Sequence, residues 1–120
     1  MATFATGSLC ALAPVADLFQ LRLLHDTRLV AEVEVGDGRP VVLGGIKEAD
    51  LYVPRTLSAR IAQREIRFQA ERGELFVERL HELGTVEVAG RPLTDRIPLA
   101  LGWTEMNIGG VVFTLQVAQP

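Results

Sequence analysis

Apolar and polar residues alternate with a period of two along most of the chain from Phe19 onward. Apolar residues occupy every second position from Phe19 to Leu23 and again from Leu29 to Val35, and most of the residues between them are polar. Successive side chains of a β-strand point to opposite faces of its sheet, so this period predicts strands with one buried face. His25 to Arg28 separate the two segments and predict a turn.

The same alternation returns downstream in shorter pieces that are separated by glycine, proline and polar residues. We predict strands at 40–43, 50–53, 66–70, 75–77, 84–88, 106–108 and 111–117. Residues 54–62 have no clean period and predict an ordered loop with one helical turn, whereas "RPLTDR", residues 91–96, predicts a polar turn. About ten short strands, spaced roughly 8 to 12 residues apart, predict an all-β fold, an antiparallel β-sandwich.

The length of 120 residues and the apolar content of 48% fit one globular domain with a single core. We assign residues 18–118 to the sandwich and residues 1–17 to an N-terminal extension that is flexible or loosely packed. The apolar patch from Leu9 to Val15 has no positive residues before it and is interrupted by Pro14, so we favour an extension over a cleaved signal peptide.

Charge and composition exclude several classes of function. Nucleic-acid-binding domains usually carry an excess of positive charge, whereas this chain has a net charge of −3, so we expect no nucleic-acid partner. A lone Cys10 and two distant histidines predict no disulfide and no metal site, and cytosolic location is the default. We expect no catalytic residues and no cofactor, because neither a nucleophile motif nor a phosphate-binding loop occurs. An enzyme of an unrecognised type stays as a third alternative, to be judged by a deep pocket with titratable groups.

Three aromatic side chains could carry chemistry, but each has a simpler interpretation. His25 lies in a predicted turn and His81 in a predicted loop, so we expect both to be solvated rather than general bases. Trp103 lies in "LALGWTEMNIGG", and we expect it to be a rim residue that covers the core rather than a ligand platform.

A glycine turn after an early strand is followed by "ADLYV", a serine-bearing loop, a hairpin, "GTVEVAG" and "LALGWTEMNIGGVVFTLQV". This order of landmarks resembles the forkhead-associated (FHA) domain over roughly residues 21–117. That family has a Gly-Arg turn, an aspartate before a short strand, a Ser-Arg-x-His loop, a Gly-Thr strand that ends in Asn-Gly, and a late Leu-x-x-Gly-Asp. The positions that match by type are Gly44, Asp50, Ser58, Gly84 with Thr85, Gly90, and Leu101 with Gly102.

The resemblance departs from the family at the positions that hold phosphothreonine. Gly45 replaces the arginine of the turn, Ala59 replaces the arginine after the serine, and Ala89 replaces the asparagine before Gly90. Leu83 stands where an asparagine often precedes the Gly-Thr pair. The counterpart of the loop histidine is one of three residues, Ile61, Gln63 or Glu65. A phosphate group needs fixed hydrogen-bond donors or arginine pairs. The replacements therefore remove most of the energy with which an FHA domain recognises phosphothreonine.

Three stretches carry a second likeness: "LHDTRLVAEVEVGDGRPVVLGG", "IAQREIRF" and "PLALGWTEMNIGGVVFTLQVAQP". A degenerate FHA domain with these stretches resembles the cytoplasmic domain of the larger inner-membrane ring protein of bacterial type III secretion, the YscD type. The resemblance implies a non-catalytic interaction and scaffold module on the cytoplasmic face of the bacterial inner membrane, which docks other secretion-apparatus proteins. It implies a ring homo-oligomer in the full-length protein, a monomer as an isolated domain, and membrane attachment only through a segment beyond residue 120.

The family builds its peptide-binding surface from the loops at one end of the sandwich. The resemblance therefore implies partner-binding residues Arg55, Ser58, Arg60 and Thr85. The alternative is a phosphothreonine-peptide-binding FHA signalling domain in which Arg39, Arg55 or Arg60 rebuilds the arginine site.

Overall fold

The computed structural model describes residues 18–81 and 84–119, which contain eleven β-strands and no helix. The strands are β1 (Phe19–His25), β2 (Arg28–Val35), β3 (Val41–Gly44), β4 (Leu51–Tyr52), β5 (Ile66–Glu71), β6 (Glu74–Arg79), β7 (Val86–Val88), β8 (Arg91–Pro92), β9 (Ile97–Leu99), β10 (Gly102–Ile108) and β11 (Val111–Ala118). The predicted all-β sandwich is confirmed.

The strands form two sheets that pack face to face. The six-stranded sheet has the order β2-β1-β11-β10-β7-β8, and the five-stranded sheet has the order β4-β3-β5-β6-β9. Neighbouring strands are antiparallel except β3 and β4, which pair in parallel, so the sandwich is not antiparallel throughout. Asp50, just before β4, accepts a hydrogen bond from the Val42 N–H at 3.0 Å and so continues this pairing beyond the end of the short strand.

One hydrophobic core fills the space between the sheets, as the alternation predicts. In β1, β5 and β11, the apolar residues at every second position are buried, and the residues between them are at least partly exposed. The largest side chains that are almost fully buried are Phe68, Phe113, Leu21, Leu23, Leu43, Leu51, Ile66, Leu75, Leu93, Met106, Ile108 and Leu115.

Tight turns join the hairpins. Asp26 and Thr27, between β1 and β2, have φ values of 50° and 66°, a left-handed pair that matches the right-handed twist of the flanking strands. Gly109 and Gly110 make the corresponding turn between β10 and β11, with φ values of 62° and 90°. Both turns were expected from the sequence.

Several local predictions are wrong. Residues 91–96 are not only a turn, because Arg91–Pro92 form β8, and Ile97–Leu99 form β9 where no strand was predicted. The penultimate strand begins at Gly102, so Trp103 lies within it; Trp103 is 64% exposed and does not cover the core. The His25 side chain is only 27% exposed, and its ring centroid lies 5.5 Å from that of Phe113.

Some predictions concern residues outside the described ranges. These are the N-terminal extension of residues 1–17 with Cys10, and Leu83 in the Gly-Thr motif. Within the described ranges, no helix has the length and the apolar character that crossing a bilayer requires.

Candidate functional site

The loop from Pro54 to Glu65 is ordered by internal bonds and by a bond to the opposite sheet. The N–H groups of Leu57 and Ser58 both donate to the Pro54 carbonyl, at 2.9 and 3.2 Å, which closes the predicted single turn. The Ser58 hydroxyl donates to the Ile108 carbonyl at the end of β10, at 3.0 Å. Ser58 is fully buried, so its side chain fastens the loop to the six-stranded sheet.

Three of the four predicted partner-binding residues converge on the β10–β11 turn. A Cβ atom on Gly109 would lie 3.1 Å from the Arg60 Cβ and 3.2 Å from the Ser58 Oγ. The Gly109 N–H donates to the Thr85 carbonyl at 2.8 Å. Arg60 and Thr85 are exposed, whereas Ser58 is buried, so two of the three residues at this turn are accessible to a partner.

Gly44, the last residue of β3, and Gly45, which follows it, lie against the loop. A Cβ on Gly44 would be 1.8 Å from the Gln63 carbonyl oxygen, and a Cβ on Gly45 would be 2.6 Å from the Ile61 Cγ2. Heavy atoms do not approach so closely, so a side chain at position 44 requires the loop backbone to move, whereas one at position 45 requires the Ile61 side chain to shift. The Gly45 N–H also donates to the Ala62 carbonyl at 2.9 Å. An arginine at position 45, as the FHA pattern has it, would therefore have to displace the buried Ile61 side chain.

Glu65 stabilises the same loop through contacts of its side chain and its backbone carbonyl. It is 3% exposed, and its Oε1 accepts a hydrogen bond from the Ala62 N–H at 2.9 Å. Its Oε2 lies 3.8 Å from the Arg79 Nη2, and its carbonyl accepts the Leu80 N–H at 3.0 Å. Of the three possible counterparts of the loop histidine, Glu65 is the one that holds the loop, with a carboxylate in place of an imidazole.

A shallow open groove lies beside this loop, and we call it the apical groove. Its cationic side chains are Arg60 and Arg64, His81 lines it beside them, and the described residues that line it include no carboxylate. The full lining is Arg60, Ala62, Gln63, Arg64, Leu80, His81 and Gly84. The groove thus has the positive charge to attract an anion, and it is open enough for the surface of another protein to contact it.

The other arginines named from the sequence lie elsewhere. Arg55 is exposed and follows Pro54, which lines a different groove together with the β1–β2 hairpin. Arg39 precedes β3, whereas the loop contacts lie at the far end of that strand, at Gly44. Arg39 is therefore not placed to rebuild an arginine site at the loop. The contacts of Arg55, Ser58, Arg60 and Thr85 with a partner stay a prediction.

Arg64 and His81 belong to the site, although no sequence motif indicated either residue. The β5–β6 hairpin brings them together: Glu71 pairs with Glu74 and Ile66 with Arg79, and continuing that register by two residues sets position 64 opposite position 81. The two-residue turn at Arg72 and Gly73 was the available signal, because turn length fixes the register of a hairpin. Among the described residues, no cluster of His, Cys, Asp and Glu could hold a metal ion.

Solved structures resemble this sandwich closely in fold and weakly in sequence. The FHA domain of the CT664 protein from Chlamydia trachomatis has a TM-score of 0.65 and 20% identity, over 82% of this chain and 96% of that one. A domain from a structural and functional analysis of phosphothreonine-dependent FHA interactions has a TM-score of 0.65 and 16% identity, over 86% and 98%. The FhaA FHA domain, complexed with the intracellular domain of Rv3910, has a TM-score of 0.62 and 17% identity, over 83% and 99%.

The fold is that of FHA domains. No protein-family model matches the sequence, and no curated protein matches it either. At these low identities, the structural likeness establishes the FHA fold alone. The binding properties of this FHA-like chain therefore have to be argued from its own loops.

Replacing Gly45 by alanine tests the contact between β3 and the loop. We expect the free energy of unfolding to fall by about 1–3 kcal/mol, because the new methyl group overpacks against Ile61. The cost should shrink when Ile61 is also replaced by alanine, so that the double variant loses less stability than the sum of the single variants. Urea unfolding followed by far-ultraviolet circular dichroism measures all three variants.

Gly44→Ala is the matched control, since its clash is with a backbone carbonyl that no side-chain truncation can remove. Its cost should stay the same in the Ile61→Ala background. Equal costs for Gly45→Ala with and without Ile61 would contradict the proposed contact.

Ser58→Ala should destabilise the domain by about 1–3 kcal/mol, because the substitution removes a buried hydrogen bond and leaves the Ile108 carbonyl without that donor. Thr56→Ala, at an exposed position of the same loop, should change the free energy of unfolding by less than about 0.5 kcal/mol. The same urea titration compares them, and equal losses for the two variants would show that the Ser58 bond adds nothing to stability.

Proposed function

We propose that this chain is a non-catalytic protein-interaction and scaffold module that docks proteins without recognising phosphothreonine. The observation that carries the proposal is the closed contact between the loop and the two glycines, Gly44 and Gly45. The Cβ of an arginine at position 45, where the FHA pattern has its phosphate-binding arginine, would lie 2.6 Å from the Ile61 Cγ2. An isolated phosphate carries nearly two negative charges and needs charged donors at fixed positions.

The buried serine supports the same conclusion. Its hydroxyl proton is used by the Ile108 carbonyl, and the side chain has no exposure to solvent. A phosphate oxygen could reach Ser58 only if the loop opened and that bond broke. The residue that matches the family's phosphate-contacting serine by type therefore contributes to loop order in this domain.

A surface built from rigid loops can bind a partner protein through complementary shape. The loop, the β10–β11 turn and the β3–β4 connection are fastened to one another by Gly45, Ser58 and Gly109, so Arg60 and Thr85 project from a rigid base. Rigid loops lose little conformational entropy when a partner binds. The FhaA FHA domain, which is complexed with the intracellular domain of Rv3910, is a domain of this fold with a protein partner.

The biological setting that we propose is the cytoplasmic side of a type III secretion inner-membrane ring. The support is the order of landmarks in the sequence together with the loss of the phosphothreonine-binding residues, which is the combination seen in the YscD type. In a ring, many copies present the same weak surface in a fixed geometry, and partners gain affinity through avidity. Arg55, Arg60 and Thr85 are the exposed residues that we assign to contacts with cytoplasmic parts of the apparatus.

The alternative function is phosphothreonine-peptide binding, and one observation favours it. The apical groove collects Arg60, Arg64 and His81 on one open surface, so an anion could be held there without the family's arginine. One of the structural neighbours comes from work on phosphothreonine-dependent FHA interactions. This alternative differs from the proposal in requiring a strong preference for the phosphorylated form of a peptide.

Binding of a degenerate peptide library with a central threonine separates the two functions. We expect the phosphorylated library to bind no more than about threefold better than the unphosphorylated one, because the ordinary phosphate ligands are absent. Fluorescence polarisation at physiological ionic strength measures both, with inorganic phosphate as a competitor.

The control uses charge reversal at matched positions. Arg60→Glu with Arg64→Glu changes the apical groove, whereas Arg72→Glu with Arg91→Glu makes the same change of net charge at exposed positions outside it. A tenfold or greater phosphate preference that only the groove variant abolishes would establish the alternative and overturn the proposal.

The ring setting has its own test in the coding sequence that follows Pro120. We expect an apolar stretch of about 20 residues there, long enough to cross a bilayer as a helix. Photo-crosslinkers at positions 60 and 85 in the full-length protein should then capture cytoplasmic secretion proteins, and one at position 91 should not. A coding sequence without such an apolar stretch would contradict the ring setting. The docking proposal would then still be tested by the peptide-binding experiment.

A further inference from the structure

The four sheet edges of the sandwich are not equally protected. The edge strands β8 and β9 contain Pro92 and Pro98, and β4 has only two residues before Pro54 follows. Proline has no N–H to offer to an added strand, and very short edges offer few groups at all. The fourth edge, β2, has eight residues and no proline, and no described strand pairs with its outer side.

The charges on β2 discriminate between partners. Glu32 and Glu34 lie on the outer face of the strand, opposite Arg22 and Gln20 of β1, and the Glu32 Oε1 lies 3.7 Å from the Arg22 Nε. A second copy of β2, paired antiparallel about its centre, would bring these carboxylates close to each other, and like charges opposite one another destabilise a sheet. A strand with basic residues at alternate positions would instead place cations beside them.

A groove with apolar and polar lining continues this edge toward the loop. Its apolar side chains are Leu29 and Val30 of β2 on one side and Pro54 and Leu57 on the other, and its polar lining residues are His25, Asp26 and Arg28. Leu29 is 45% exposed, and Val30 is the extra residue of a bulge, because Leu23 pairs with Ala31 and Leu24 pairs with Leu29. An added strand would send every second side chain toward this groove, the usual source of specificity when a peptide extends a sheet.

We propose that the β2 edge binds an extended segment of a partner protein in which apolar and basic residues alternate. Main-chain hydrogen bonds to β2 hold the segment, the apolar side chains lie toward the groove, and the basic side chains lie beside Glu32 and Glu34. This surface shares no lining residue with the apical groove, so the proposal goes beyond the loop-based docking function and either one can fail without the other.

The test uses the 120-residue chain and two ten-residue peptides, one that alternates valine with lysine and one that alternates valine with glutamate. We expect the lysine peptide to bind at least tenfold more tightly than the glutamate peptide, by isothermal titration calorimetry at physiological ionic strength. Replacing the central valine of the lysine peptide by proline should reduce its affinity at least tenfold, because proline interrupts main-chain pairing. Amide hydrogen exchange within 28–35 should slow when the lysine peptide is bound.

Charge reversal at the edge supplies the decisive comparison. Glu32→Lys with Glu34→Lys should reverse the order of the two peptides. Glu87→Lys with Glu105→Lys, which changes the net charge equally at β7 and β10, should keep the lysine peptide ahead. Circular dichroism establishes that both double variants are folded.

Three results would overturn the proposal. The first is the same change of peptide preference in both double variants, which would show that the preference depends on net charge and not on the β2 edge. The second is unchanged binding of the proline peptide, which would exclude strand addition. The third is slow exchange, in the free chain, of the alternate 28–35 amides that point away from β1, which would show that the edge is already covered by a second copy or by another part of this chain.

Discussion

The close approach of the loop backbone to the end of β3 is the constraint on which the rest of this surface depends. It requires glycine twice in succession, because the Gln63 carbonyl and the Ile61 side chain occupy the space in which Cβ atoms would lie. The contact lets Gly45 donate to Ala62, and it positions the loop for the Ser58 bond to Ile108. A side chain at position 45 would have to displace the Ile61 side chain, so the packing of Ile61 against Gly45 disfavours the arginine that the FHA pattern has there.

Glu65 shows how the loop is held without the residue that the FHA pattern uses. A buried carboxylate costs solvation energy unless hydrogen bonds and a cation compensate for it. Here the Ala62 N–H supplies the bond, and Arg79 supplies the cation at 3.8 Å. Among the described residues the Glu65 Oε2 has no hydrogen-bond partner, so its compensation is the charge of Arg79. The fold thus keeps the architecture of a recognition loop, and the accessible chemistry moves to the arginines and the histidine of the apical groove.

The sequence predicted most of the sandwich because the determinants are local. Alternation marked the long strands, and turn residues marked the hairpin ends at Asp26 and at Gly109. The failures have nonlocal causes: β8 and β9 are strands because β7 and β6 lie beside them, and their own residues include proline. The doubled glycine was visible in the sequence, but its reason was not, because the atoms that require it come from residues 61 and 63.

The position of Trp103 has a practical consequence for spectroscopy. The chain has one tryptophan, and its indole projects from the outer face of β10 with 64% of the residue exposed. Its environment is already aqueous in the native state, so its emission should change little when the core melts. A macromolecule that covers the six-stranded sheet would instead shift that emission to shorter wavelength, which makes the native indole a reporter of contacts on this face rather than of denaturation.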